Sequence, residues 1–320
     1  MTNRPFARYG ALLSVGLALV WPASAAVAAP VRAVRAATER SGPRVSCVAA
    51  SHANDKRAIK MAHAIDRAIA GRASTIGLEE TDAGTRITCT YHATWHFYAA
   101  SAIKATILAA LLRKAQEQHR NLTTNEKHLA WLMITQSDND AATALWNDVG
   151  FSHLQHFLRL AKMSETELNH AWGLSLLTAH DETLLLALLG GPNRILSLAS
   201  RVYAQYLMSH VIASQRWGVP AGAPHSVTVH VKNGWLPYPV SDDWEINSIG
   251  FFTRQHPQRV YTIAVLTHAN PTMAYGIDTI EGAAIAIHRA LNPGADDVIP
   301  RSRPNATWGI PDEPVPAAKG

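Results

Sequence analysis

The 320 residues predict an α+β protein in which one sheet is assembled from both ends of the chain around a helical middle. Three observations predict it. Period-two or β-branched runs cluster in two distant places, 74–90 and 226–267. Between them, apolar residues recur at three-to-four spacing, and no strand–helix–strand alternation of the parallel-sheet kind occurs. At 48% hydrophobic and 17% charged residues the chain is too apolar for disorder, and its length suits one large domain or two small ones. Two cysteines exclude a disulfide-stapled miniprotein and a cysteine-rich zinc module.

Residues 1–28 read as a secretory signal peptide. Arg4 and Arg8 precede a mostly apolar run over 9–20, and small residues follow, placing cleavage near Ala25 to Ala28. The alternative, a membrane anchor, needs ~20 apolar residues, which this run lacks. No cysteine stands at the junction to carry a lipid. Removing the segment takes two arginines and no acids, which lowers the formal charge of +5 by two. Arg32, Arg35, Arg40 and Arg44 fall in a linker expected over 29–50. The folded part, 51–292, is therefore near neutral, and with no basic stripe interleaved with aromatics a nucleic-acid partner is not expected. In an exported protein Cys47 and Cys89 pair as a disulfide, or else stay as two separate buried thiols.

The elements follow in order. Ala58, Met61, Ala62, Ile65 and Ile69 recur at helical spacing over 54–70. Strands over 74–78 and 86–90 flank a turn at Asp82-Ala83-Gly84. A helix over 101–112 is apolar almost all round and should be buried. Thr123-x-x-Glu126 is a capping box opening a helix to about Thr135. Helices over 140–149, 152–161, 178–189 and 198–212 complete the middle. Strands over 226–232, 244–253 and 259–267 and a helix over 275–291 follow, and the Pro- and Ala-rich 293–320 read as a disordered tail.

Three short motifs carry chemistry. Ser101-x-x-Lys104 places a hydroxyl and an amine on one helix face. Serine is a weak nucleophile without a base, and a lysine serves as one when burial or a nearby cation lowers its pKa. At a helix start, the Ser101 N–H can also donate to an oxyanion. Ser137-Asp138-Asn139 lies between two helices, where Ser137 can relay a proton, Asn139 can hold an amide and Asp138 caps the next helix. Lys232-Asn233-Gly234 ends an apolar strand, where a cation attracts a carboxylate and glycine admits substrate. Taken singly, each motif has an ordinary reading: a capping serine with a solvated lysine, an N-cap, a strand-end turn.

In this order the three resemble the penicillin-recognising serine enzymes, above all class A β-lactamases. The resemblance spans about 54–291, including Met133 to Trp146 and the strands at Ser248-Ile-Gly-Phe-Phe and Tyr261 to Thr267, and is nearest to secreted actinobacterial serine hydrolases. It implies a three-layer α/β/α fold with an antiparallel sheet of about five strands and a reduced helical lobe. It further implies that Ser101 is acylated with Lys104 as base or its partner, that Ser137 shuttles a proton, and that Asn139 binds the substrate amide. Lys232 would bind its carboxylate, and the N–H groups of Ser101 and Trp235 would form the oxyanion hole.

Three departures qualify what it implies. Asn233 replaces a hydroxyl residue that helps bind carboxylate, for which an amide N–H is the available substitute. The interval from Ser101 to Ser137 is short, so the cleft should be open on that side. Glu165-Thr-Glu-Leu-Asn169 mimics the loop that carries the family's deacylating Glu but lies too near Ser137, leaving Glu165 and Glu167 as solvated carboxylates and deacylation slow. The expected activity is a secreted, monomeric β-lactamase-like hydrolase without cofactor or metal, with the antibiotic resistance that lactam opening brings. A D,D-peptidase acting on cell-wall peptide and a non-hydrolytic penicillin sensor are the alternatives. The sixteen histidines include the pairs His153/His156 and His92/His96 but no H-E-x-x-H, and read as scattered surface or core residues.

Overall fold

The computed structural model describes residues 44–237, 243–255 and 258–302; the expected signal peptide and most of the expected linker lie outside them. The sheet has six antiparallel strands: β1 (Ser46–Ala49), β2 (Thr75–Asp82), β3 (Ile87–Tyr91), β6 (Thr228–Pro237), β7 (Trp244–Arg254) and β8 (Arg259–Asn270), in the order β1-β3-β2-β8-β7-β6. The two distant runs meet where β2 pairs with β8, so the ends of the chain share one sheet. A two-residue pair, β4 (Phe97–Tyr98) with β5 (Leu176–Leu177), stands apart from it.

Helices cover both faces. α1 (Asp55–Ile69) buries Ala58, Met61, Ala62, Ile65 and Ile69 and packs with α8 (Met273–Leu291) on one side, each large side chain contributing about 1.5–3 kcal/mol. Strand alternation divides β7 between the layers: Phe252 meets His288 of α8, while Phe251 packs against Gly190 of α6 (Ala179–Gly190). With α6 lie α2 (Lys104–Glu117), α3 (Thr124–Trp131), α4 (Asn139–Val149), α5 (Phe151–Ala161) and α7 (Leu198–Ser209). α2 is buried nearly all round, as its composition requires. Among the described residues no helix is long and apolar enough to cross a membrane.

The structure corrects the sequence reading at several places. The sheet gains a sixth strand, β1, inside the expected linker, and Cys47 faces Cys89 across the β1–β3 pair and is joined to it as a disulfide. β2 runs on to Asp82 because its acidic residues are paired at a distance: Glu79 with His180 and Thr183, Asp82 with Arg259 at 2.7 Å. The helix from Thr124, with both hydrogen bonds of its N-terminal capping box formed, gives way to a π turn over Leu132–Gln136. α7 stops at Ser209, three residues early. Residues 293–302, expected in the tail, fold back instead: Ile299 N–H donates to the Ala223 carbonyl and Gly222 N–H to the Ile299 carbonyl, both at 2.8 Å. Backbone pairing of this kind leaves no side-chain period to read.

Candidate active site

Three segments converge on the helical-lobe side of β6. The first is the turn before α2. Ala100 holds a left-handed φ of 45°, and a 3-10 turn over Ala100–Ile103 then presents Ser101, half-buried, with a hydroxyl that has no hydrogen-bond partner among the described residues. Gly234 of β6 lies against this turn. A Cβ there would fall 2.7 Å from Ala102 N and 2.8 Å from Ser101 N and the Ala99 carbonyl, so only glycine permits the approach.

The second segment is the π turn, which ends on Ser137 in the left-handed region at φ 61°. Asp138 then caps α4 by accepting from Ala141 N–H at 2.7 Å, the structural part expected of it. The third is β6 itself. Lys232 lies opposite Ile249 and Asn233 opposite Ser248, so strand alternation sends the two side chains to opposite faces.

Both lysines are fully buried. Lys104 Nζ donates to the Ser137 carbonyl at 2.6 Å, to Asn139 Oδ1 at 2.7 Å and to Ser137 Oγ at 3.3 Å. Lys232 Nζ donates to Ser137 Oγ at 2.9 Å and to the Asn233 carbonyl at 2.8 Å. The Ser137 hydroxyl thus stands between two amines. Burial and the Lys232 charge push Lys104 well below the usual lysine range, against a smaller opposing pull from Asp138. Burial alone brings Lys232 down to about 7. Near neutrality such a pair can hold one proton between two nitrogens, with a hydroxyl in position to pass it.

Ser101, Lys104, Ser137, Asn139, Lys232 and Gly234 are therefore brought into one cluster. Asn233 is not. Its amide donates to the carbonyls of Gln215 and Trp217, both at 2.9 Å, so its N–H groups are committed to the loop behind the strand and are unavailable to a substrate carboxylate. Trp235 likewise turns its ring to Trp217, 6.0 Å away. Glu167 is 68% exposed by its side chain and pairs with His96, while Glu165 is held through its backbone by His96 and Asp181. Trp172 was missed: it is buried, its ring centre lies 4.9 Å from Lys104 Nζ, and an isolated Trp in a short loop was the available signal. His153 and His156 flank Glu117, which Arg113 also binds at 2.6 Å. Among the described residues no three His, Cys, Asp or Glu are grouped to hold a metal.

A sheet sandwiched between helices, with a serine, two buried lysines and a hydroxyl hydrogen-bonded to both at the lobe boundary, defines a serine hydrolase of β-lactamase fold. Residues 120–291 match the model of the beta-lactamase enzyme family, and the chain belongs to that family. The match begins after Ser101 and Lys104, which join the site through the structure. Among solved structures, a class A beta-lactamase from Bacteroides cellulosilyticus DSM 14838 is similar over 73% of this chain and 97% of its own, at 18% identity and a TM-score of 0.64. A beta-lactamase from Sphaerobacter thermophilus DSM 20745 is similar over 72% and 98%, at 21% identity and 0.62. A variant of PBP-A, solved as its acyl-enzyme complex with penicillin G, covers 72% and 96% at 18% identity and 0.62. No curated protein sequence matches the chain.

Proposed function

We propose that the protein opens β-lactam-type cyclic amides through an acyl-enzyme on Ser101 and releases the product slowly. The observation that carries this reading is the Ser137 hydroxyl, which takes hydrogen bonds from both Lys104 and Lys232. Neutral Lys104 accepts the Ser101 hydroxyl proton as the oxygen attacks the amide carbon. The tetrahedral oxyanion is met by the N–H groups of Ser101 and Trp235, which Gly234 brings together. Lys104 returns the proton through Ser137 to the leaving nitrogen, the C–N bond breaks, and an ester on Ser101 remains. Asn139, whose Oδ1 is bound to Lys104, keeps its N–H₂ for the substrate amide. Charged Lys232 attracts the substrate carboxylate without help from the Asn233 amide.

Water must then add to the ester, and among the described residues no carboxylate is hydrogen-bonded into the cluster to activate it: Glu167 is exposed beside His96, and the Glu165 carboxylate accepts from the Ser164 hydroxyl. That supports slow deacylation. The Cys47–Cys89 disulfide supports an exported site of action. In the test, penicillin labels the wild-type protein at Ser101 and Ser101→Ala is unlabelled; labelling of the variant at another residue overturns the assignment. Release of D-alanine from a peptide ending in D-Ala-D-Ala, with no lactam turnover, replaces the lactamase reading by the peptidase one.

A further inference from the structure

The chain enters Ser101 through Tyr98 and Ala99, and the first residues of β7 grip both. Glu245 and Asn247 lie on the face of β7 that carries Phe251 toward α6, and both are fully buried. Glu245 Oε1 accepts from Tyr98 N–H at 2.9 Å. Asn247 Nδ2 donates to the Tyr98 carbonyl at 2.7 Å and to the Ala99 carbonyl at 3.3 Å, and its Oδ1 accepts from Thr267 N–H at 3.3 Å. Ala99 N–H donates to the Ser175 carbonyl at 2.8 Å. Every polar backbone group of the two residues before the strained Ala100 is therefore held, most of them by side chains of one strand.

A fully buried carboxyl is an expensive way to fill space, since burial penalises its charge. Burial indeed raises the Glu245 pKa, and the carboxylate in turn raises that of His268, whose Nδ1 stands 2.7 Å away on β8. Asp243, just before β7, adds to the pull on His268. An apolar residue would pack there at lower cost but would remove the acceptor that Glu245 gives Tyr98 N–H beside the nucleophile. We propose that Glu245 and Asn247 are positioning residues for Ser101, fixing the Tyr98–Ala99 segment and so the direction of the hydroxyl. The proposal rests on the acyl-enzyme reading of Ser101.

The test resolves acylation by penicillin into the binding constant and the acylation rate constant, alongside thermal melting. Glu245→Leu and Asn247→Ala should each lower the acylation rate constant roughly tenfold or more with binding changed less than about threefold. Glu245→Gln, which keeps an acceptor for Tyr98 N–H, should recover most of the rate. Ile65→Ala, in the remote α1 core, should melt earlier yet acylate normally, which separates positioning from lost stability. Should Glu245→Leu fail to fold, Asn247→Ala and Glu245→Gln carry the comparison. Wild-type acylation rates in folded Glu245→Leu or in Asn247→Ala, or equal slowing in Ile65→Ala, overturn the positioning role alone. A wild-type protein labelled at Ser101 by neither penicillin nor a fluorophosphonate overturns it together with the acyl-enzyme reading.

Discussion

Lys232 concentrates the conflict between stability and function at this site. It is fully buried, and its pKa falls to about 7 because burial penalises the ammonium. Between that value and the ordinary lysine value near 10.4, the unfolded chain holds a proton that the folded chain does not, so stability rises with pH across that window. The cost of burying the charge is complete below pH 7. Lys232→Met should therefore melt about 2–8 °C above wild type at pH 6, with the gap closing toward pH 10, while losing affinity for lactams that bear a carboxylate. An unchanged melting temperature would contradict the buried charge. In the wild-type protein, binding of such lactams should weaken as pH rises through about 7, where free Lys232 loses its proton. The site residues were legible in short motifs because the chemistry needs a hydroxyl and an amine one helical turn apart. The commitment of the Asn233 amide to Gln215 and Trp217 was not legible, because its acceptors are backbone carbonyls of a distant loop.

At the scale of elements, the site depends on how closely β6 approaches the turn that carries Ser101. Gly234→Ala places a methyl group within 2.8 Å of three backbone atoms of that turn, so strand and turn must separate. Acylation should fall by about tenfold or more and stability by about 1–3 kcal/mol. An alanine variant that acylates like wild type would show that this contact does not shape the oxyanion site. Helices were legible where an apolar stripe repeats, as in α1 and α5, or where a capping box marks the start, as at Thr123. β1 was not, being a four-residue edge strand whose largest apolar residue, Val48, is 65% exposed while only the small Cys47 and Ala49 face the core. The second half of β2 was hidden by Glu79, Glu80 and Asp82, acids that reach the interior because partners more than a hundred residues away meet two of them. The π turn leaves no mark in composition, yet it delivers Ser137.

In the molecule as a whole, the disulfide and the site occupy opposite edges of one sheet, since β1 and β6 end the strand order. The bridge closes a separation of 42 residues and ties only β1 to β3. Replacing Cys47 and Cys89 together by serine should cost about 2–4 kcal/mol and leave acylation of Ser101 intact. A loss of acylation at a temperature where the variant stays folded would mean that the edges are coupled. The split of the strands to both chain ends announced one interleaved sheet from sequence, and the pairing of β2 with β8 is what joins the two groups. The most direct test of the central claim is intact mass against time after mixing with a chromogenic cephalosporin. A single adduct on Ser101 that forms quickly and decays slowly, with colour released, is the predicted result. No adduct, or an adduct on another residue, would contradict it.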